Sequence, residues 1–186
     1  MLACALAAGC VRVAPPAAAP PPDPAMAHVM SLEHFDNDLL AWAIFEESNR
    51  VRAAHGLRAV EHRADLDAAA DEQAVYTALS LSAGHSNPIT GERNVAERVA
   101  GQGFDARRVG ENAIMMPAQR PADAPERDYT YASYAAFLLA GWMNSPEHRD
   151  ILLSHEFTRL GCAARLAHGV RSSELSIFAI QVFARP

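Results

Sequence analysis

The chain has 186 residues and a formal net charge of -6, and 50% of its residues are hydrophobic. This length suits one compact domain with a real core and is short for two. The balance of charged and apolar residues is typical of a soluble globular protein. The sequence offers no run of Lys or Arg that would supply a basic face. It therefore argues against non-specific nucleic-acid binding, and we expect no nucleic-acid partner.

The first ten residues, MLACALAAGC, form a short apolar run that ends at Cys10. The run is too short to span a bilayer as a helix, and its small residues are typical of the end of a secretory signal. The ending LAAGC resembles a bacterial lipobox, in which the cysteine is lipidated. Ala7 stands where such motifs prefer Leu, and no basic segment precedes the run. We predict a signal-like or lipobox-like segment at residues 1–10, with a disordered Ala-rich tail as the alternative.

A linker is predicted at residues 11–30, because residues 15–24 are mostly Pro and Ala. Such a stretch favours an extended polyproline conformation and acts as a semi-rigid spacer. A spacer behind a lipidated Cys10 would suit a domain tethered to a membrane, in the periplasm or elsewhere in the cell envelope. A secreted protein is the other expectation. The folded domain is predicted at residues 31–186, where Cys162 is the one cysteine, so that no disulfide framework is available to it.

Helical spacing dominates the first part of the predicted domain. A helix that includes Leu39 and Arg52 is expected to end near Gly56. The stretch DLDAAADEQAVYTALSLSAG predicts a second helix, with Leu79 in its buried stripe and Gly84 at its end. The segments NVAERVAGQG and YTYASYAAFLLAGWMN are expected to be helical, and GENAIMM is expected to be a short strand.

The last part of the chain changes from helix to strand. In SPEHRDILL, Ser145 is an N-cap residue type and Pro146 suits the first helical position. The segments RLGCAARLA and ELSIFAIQVFARP contain β-formers, and the turn HGVRSS between them favours an antiparallel pair. Helices and a small sheet in one domain predict an α+β fold in which the sheet and the helices form a sandwich.

The titratable residues alone give a weak indication of function. The chain has eight histidines, and His85 and His148 lie in a loop and in the first turn of a helix. Neither belongs to a short-range metal motif. Glu111 is interpreted as a solvated loop acid or as a partner of Arg107 or Arg108. The other histidines are expected at the surface: His28, His34, His55, His62, His155 and His168.

An ordered series of short motifs resembles the bacterial members of the CAP superfamily, the cysteine-rich secretory, antigen-five and pathogenesis-related-one proteins. The motifs extend from about Phe35 to Phe183. They are Asn49-x-x-Arg52 followed by Gly56-Leu57, the GHSN that ends a helix, GEN at 110–112, WMNSPEHR at 142–149 followed by Ile151 and Leu152, and Gly161-Cys162.

The resemblance implies an α-β-α sandwich with an open cleft. In many members two histidines and two acids meet in that cleft, and some members hold a divalent cation such as zinc. His85 matches the first histidine, Glu111 the acid of GEN, and His148 the second histidine. Ser145 stands where many eukaryotic members have the second acid. A site with one fewer carboxylate should bind a cation less tightly. We therefore expect His85 and His148 to bind zinc only weakly.

Three functions remain open on the sequence alone. The first is a binding module with a cleft for a small molecule, polar or apolar, a glycan or a protein, which the resemblance implies because several members bind sterols or fatty acids. The second is a hydrolase in which Glu111 acts as general base, or Ser145 as nucleophile with His148 as base. An N-cap serine turns its oxygen toward its own helix, which disfavours the nucleophile. The third is a polar cluster that only ties loops together.

Overall fold

The computed structural model describes residues 23–90, 94–124, 128–168 and 174–186. Its strands form one sheet in the order β1-β3-β4-β2, in which β1 pairs parallel to β3 and the other pairs are antiparallel. Within the described residues, no helix is both long and apolar enough to cross a membrane. The elements are α1 (Asn37–Ala54), β1 (Glu61–His62), α2 (Ala64–Ser80), α3 (Val95–Gly101), β2 (Arg108–Pro117), α4 (Tyr131–Asn144), α5 (Pro146–Leu152), β3 (Arg159–His168) and β4 (Leu175–Arg185).

The sheet lies between two layers of helices, which confirms the predicted α-β-α sandwich. Successive side chains of a strand point to opposite faces. On β4, Ile177, Ala179 and Phe183 pack with α1, α4 and α5, whereas Ile180 and Val182 pack with α2 and α3. Each face therefore has its own hydrophobic core, and burial of both faces fixes the register of the sheet.

The predicted helices are present, but the end of α2 differs from the prediction. The helix stops at Ser80, and Leu81 adopts a left-handed conformation with φ of 54°, so that Gly84 is not its end. Leu79 is 69% exposed, and its assignment to the buried stripe was wrong. The buried stripe includes Leu66, Ala70 and Gln73 and ends at Thr77. Because each residue of a helix turns by about 100°, Leu79, two residues after Thr77, lies on the opposite side of the helix.

Packing of the chain begins before residue 31. Pro24–Ala27 form a short 3-10 helix, and Met26 and Met30 are buried in the core. The backbone N–H of Met30 donates to the Tyr129 carbonyl at 2.7 Å. The last part of the predicted linker therefore contacts the domain. The predicted signal-like segment with Cys10 and most of the predicted HGVRSS turn lie outside the described residues.

Two polar residues of α1 attach its C-terminal end to the rest of the domain. The side-chain amide of Asn49 donates to the Val60 carbonyl at 3.0 Å and accepts from its N–H at 2.8 Å. The buried Arg52 guanidinium donates to the carbonyls of Leu152 at 2.7 Å and Ser154 at 2.9 Å. Since these carbonyls lie at and beyond the end of α5, Arg52 fixes the position of the helix that bears His148.

Gly161 allows α2 to pack directly against β3. A Cβ atom at this position would lie 2.2 Å from the backbone nitrogen of Asp67. The neighbouring Cys162 N–H donates to the Asp67 carboxylate at 2.8 Å. Cys162 is buried and unpaired, and burial raises the pKa of its thiol well above the usual value. These two motif residues therefore serve packing.

Candidate functional site

The loop that bears His85 is held against α2 by side-chain amides. Gln73 donates to the carbonyl of Gly84 at 2.6 Å and to that of Ser86 at 3.4 Å. Asn87 donates to the carbonyl of Glu72 at 3.2 Å. These bonds satisfy loop carbonyls that a buried connection would otherwise leave unpaired. The His85 side chain remains 57% exposed.

The GEN motif lies on β2, and each of its residues has a different contact. A Cβ atom on Gly110 would lie 2.8 Å from the Phe157 ring, so the glycine permits close packing there. Glu111 contacts His85, and the Asn112 amide donates to the His148 backbone carbonyl at 3.1 Å. Glu111 and Asn112 are successive strand residues, so their side chains point to opposite faces of the sheet. This edge strand therefore contacts both candidate histidines.

Glu111 is a buried carboxylate with both oxygens engaged. Its side chain is 2% exposed, and its Oε1 lies 2.9 Å from Nδ1 of His85. Its Oε2 accepts a hydrogen bond from Nη2 of Arg98. The expectation of a solvated loop acid, or of a partner of Arg107 or Arg108, was therefore wrong. The side chain faces α2 and α3, whereas Arg108 pairs with Glu156.

Arg98 is the site residue that the sequence analysis missed. It lies on α3, its side chain is fully buried, and its Nε donates to the Ala69 carbonyl at 3.3 Å. Its Nη1 lies 3.5 Å from the carbonyl of His85. The signal was present in the sequence, because Val95, Arg98 and Val99 follow helical spacing and place Arg98 on the apolar side of α3.

His148 is in the first turn of α5, as predicted, but Ser145 does not use its hydroxyl as a cap. Ser145 has the extended conformation of an N-cap, and no hydrogen bond joins its side chain to the helix backbone. Ser145 also ends α4, since its N–H donates to the Trp142 carbonyl at 3.2 Å. The residue therefore joins two helices through its backbone, and its hydroxyl is not committed to α5.

The two histidines have pKa values shifted in opposite directions. The hydrogen bond to Glu111 raises the pKa of His85 against the opposing effect of burial. Burial lowers the pKa of His148, and the nearby charge of His85 lowers it further. Over an interval of pH, a protonated His85 therefore coexists with a neutral His148.

Comparison with known proteins agrees with this architecture. Residues 45–183, well over half of the chain, match the family described as CAP, the cysteine-rich secretory protein family. The chain belongs to the CAP family. A search of curated proteins gave no match.

Solved structures with the same fold come from several bacteria. An extracellular protein with an SCP domain from Bacillus anthracis has a TM-score of 0.58 and 22% identity, over 81% of this chain and 41% of that one. An outer surface protein from Borrelia burgdorferi has a TM-score of 0.54 and 15% identity, over 86% and 98%. The CAP domain of enterococcal PrgA has a TM-score of 0.53 and 16% identity, over 86% and 67%. The chain thus spans about two fifths of the Bacillus protein. At these identities the likeness shows the fold alone.

The candidate site offers an incomplete set of ligands for the divalent cation that some CAP proteins bind. Among the described residues, no group of three or more His, Cys, Asp or Glu side chains could hold a metal ion. Both oxygens of Glu111 already accept hydrogen bonds. The imidazoles of His85 and His148 therefore remain as the metal ligands that the site can offer. Zinc sites use three or four protein ligands. The residues therefore do not fit a stable zinc centre.

Proposed function

We propose that this CAP protein is an exported or envelope-tethered binding module whose ligand site comprises His85, Glu111, Ser145 and His148. The observation that carries the proposal is the contrast between the His85 ring and its support. The ring is 57% exposed, whereas the Glu111 carboxylate beneath it is 2% exposed. A solvent-facing imidazole held by a buried carboxylate is oriented in advance to bind a partner.

The ligand class follows from the groups that the site presents. The outer nitrogen of His85 can accept a hydrogen bond when neutral and donate one when protonated. A small molecule with a polar group, a glycan or a protein loop would each satisfy it. We expect the polar group of a ligand to contact the histidines, and any apolar part of it to contact the protein surface around them.

Mass spectrometry of the protein purified from its own cell envelope tests the binding function. We expect a co-purifying molecule that is lost in a His85→Ala, His148→Ala double variant. The matched control is His55→Ala, His155→Ala, because both of these histidines are exposed and neither contacts Glu111. Equal recovery of the molecule from all three proteins would remove the proposed site.

Export is the second part of the proposal. It is supported by the signal-like segment ending at Cys10, by the Pro- and Ala-rich spacer, and by the extracellular and outer-surface proteins that share the fold. We expect the N-terminal peptide of the envelope protein to begin at a lipidated Cys10. A Cys10→Ser variant should lose the lipid and appear in the soluble fraction. An intact, unmodified residue 1 in the envelope protein would contradict lipidation.

Weak binding of a divalent cation would modulate such a site. Two imidazoles can contribute to zinc binding, but the incomplete set of ligands predicts low affinity. Zinc calorimetry should show weak binding that disappears in the His85→Ala, His148→Ala variant. Identical heats for both proteins would exclude these histidines as ligands.

Hydrolysis is the alternative function, and the opposite pKa shifts of His85 and His148 favour it. Pairs of titratable groups with separated pKa values are typical of acid and base roles. Glu111 is poorly placed as a base because both of its oxygens are engaged. A neutral His148 would be the base, with Ser145 or water as the nucleophile. Turnover of a panel of esters that is unchanged in His148→Gln would dismiss this alternative.

A purely structural cluster is the third reading of these residues. Gln73, Asn87 and Arg98 do tie the His85 loop to α2 and α3. A structural role would be supported by burial and pairing of both histidine rings. His85 is instead largely exposed and His148 half-buried. The exposure of the His85 ring therefore favours a ligand site over a supporting network.

A further inference from the structure

We propose that Arg98 is a positioning residue of the site, which fixes the backbone of His85 directly and its ring through Glu111. In this arrangement Nδ1 of His85 carries the proton and Nε2 faces the ligand. The inference rests on the proposed function, since it assigns the group that makes the His85 ring ready to bind. The test of this inference requires no ligand. The inference can therefore fail while the binding function stands, and the binding function can fail while the inference stands.

The direct contact acts on the loop. The side chain of Arg98 is fully buried, and its Nη1 lies 3.5 Å from the carbonyl of His85. Its Nε donates to the carbonyl of Ala69 on α2 at 3.3 Å. One guanidinium thus contacts α2 and the loop that follows it. The location of the His85 backbone relative to the sheet depends on this bridge.

The indirect contact acts on the ring. Arg98 donates to Oε2 of Glu111, while Oε1 of the same carboxylate lies 2.9 Å from Nδ1 of His85. Arg98 pairs this buried carboxylate with an opposite charge. An ionised carboxylate only accepts hydrogen bonds, so Nδ1 must be the donor. The proton on Nδ1 leaves the lone pair of the neutral ring on Nε2.

Arginine suits this role because its planar group offers five N–H donors in a fixed geometry. The three nitrogen atoms of its guanidinium each contact a different partner among the described residues. The helix that bears it is fixed by a capping box, in which Asn94 accepts from the Glu97 N–H at 3.1 Å and Glu97 accepts from the Asn94 N–H at 3.0 Å. A lysine would retain the charge but lose the bridging geometry.

The test is ¹⁵N NMR of the histidine rings at a pH at which His85 is neutral. In the wild-type protein we expect His85 to be mainly the Nδ1–H tautomer. In Arg98→Met the Glu111 carboxylate loses the donor that holds its Oε2, and the excess of Nδ1–H over Nε2–H should fall. Arg98→Lys should restore the Nδ1–H excess, because an ammonium group can donate to the same carboxylate. Backbone amides of the His85 loop should nevertheless exchange faster in Arg98→Lys than in the wild type.

Two results would overturn the proposal. The first is an Nε2–H majority in the wild-type protein, which needs no variant and is therefore available even if Arg98→Met does not fold. The second is a folded Arg98→Met protein whose His85 tautomer and loop exchange match the wild type. That pattern would limit Arg98 to a stabilising role.

Gln73→Met is the matched control. Gln73 holds the same loop through the carbonyls of Gly84 and Ser86, and its hydrogen bonds within the described residues do not include Glu111. We expect faster exchange in the loop and an unchanged Nδ1–H tautomer of His85. A change of tautomer in this variant would mean that any loosening of the loop reorients the ring, and Arg98 would lose its special role.

Discussion

The two histidines of the site are held in different ways. His85 has its ring bonded to Glu111, whose other oxygen bonds to the buried Arg98. His148 is held by its backbone, through the bond from Asn112 to its carbonyl. The ring of His85 is therefore oriented by a charged network, whereas the position of His148 is set by the helix that bears it.

The difference arises at two adjacent residues of β2. Glu111 points to the face covered by α2 and α3, and Asn112 to the face covered by α1 and α5. Asn112 also donates to Gln181 at 3.0 Å, and Gln181 donates to Ser48 of α1 at 2.6 Å. A charged network thus supports one side of the site and a neutral network supports the other. Buried charges cost more to disturb than buried neutral groups, so the two sides should respond differently to mutation.

The charged side should give the largest loss of stability. Glu111→Gln leaves the buried Arg98 without its anion, and breaking a buried ion pair costs about 3–5 kcal/mol. Urea denaturation should show this loss in the free energy of unfolding. The control is Glu47→Gln, which leaves the solvent-exposed Arg50 without its partner, and a loss of less than about 1 kcal/mol is expected because water can solvate the Arg50 charge. Equal losses in both variants would show that Arg98 is not dependent on Glu111.

The neutral side should lose less. Asn112→Ala leaves the Gln181 amide and the His148 carbonyl without a donor, at a cost of about 1–3 kcal/mol. Hydrogen exchange should accelerate in α5 and remain slow in α2. Asn144→Ala, at an exposed position of α4, is the control and should change stability by less than about 0.5 kcal/mol. An Asn112→Ala protein as stable as the control would show that the neutral network does not contribute to the free energy of unfolding.

Two glycines allow a comparison of packing on the two sides. Gly110→Ala places a Cβ 2.8 Å from the Phe157 ring, whereas nothing lies within 4 Å of a Cβ at Gly84 beside His85. Overpacking should cost about 1–3 kcal/mol at Gly110. Gly84→Ala should leave stability unchanged or raise it slightly, because the unfolded chain loses freedom. Thermal unfolding of both variants measures the contrast, and a destabilised Gly84→Ala protein would contradict the open surroundings of the loop.

The fold was largely predictable from the sequence, because the spacing of hydrophobic residues indicates the helices and strands and the order of the motifs indicates the family. The helices, the β3–β4 pair and the placement of His148 in the first turn of α5 were all predictable. The motif residues proved to be largely structural: Asn49 and Arg52 fix the end of α1, and Gly161 lets α2 approach β3.

The contacts of the site were less predictable because they join segments distant in the chain. Nothing adjacent to Glu111 indicates that its partner is Arg98, since the pairing depends on how α3 lies over the sheet. The lack of a capping hydrogen bond from the Ser145 side chain to α5 was also missed, because the residue ends α4 as well as beginning α5. Local preference describes either helix end alone and does not describe a residue shared by two.

The smallest effect should be on the titration of the histidines, which also separates the two sides. His85→Ala should raise the pKa of His148, because it removes a nearby positive charge, while the lowering by burial remains. Glu111→Gln should lower the pKa of His85 below its ordinary value, because burial and the charge of Arg98, which both lower it, remain. Ring-proton NMR titrations measure both shifts. A His148 pKa that is identical in the wild type and in His85→Ala would place the two rings beyond mutual influence.

These shifts also predict how stability depends on pH. The raised pKa of His85 stabilises the folded state fully below the unfolded value of about 6.5, and this contribution is lost as pH rises through the folded pKa. The lowered pKa of His148 destabilises the folded state at low pH, and that cost disappears as pH rises toward about 6.5. The contribution of the pair is therefore greatest near about pH 6.5. His85→Ala should remove the decline above this pH and retain the rise below it, whereas an unchanged profile would mean that the Glu111 bond does not favour protonation of His85.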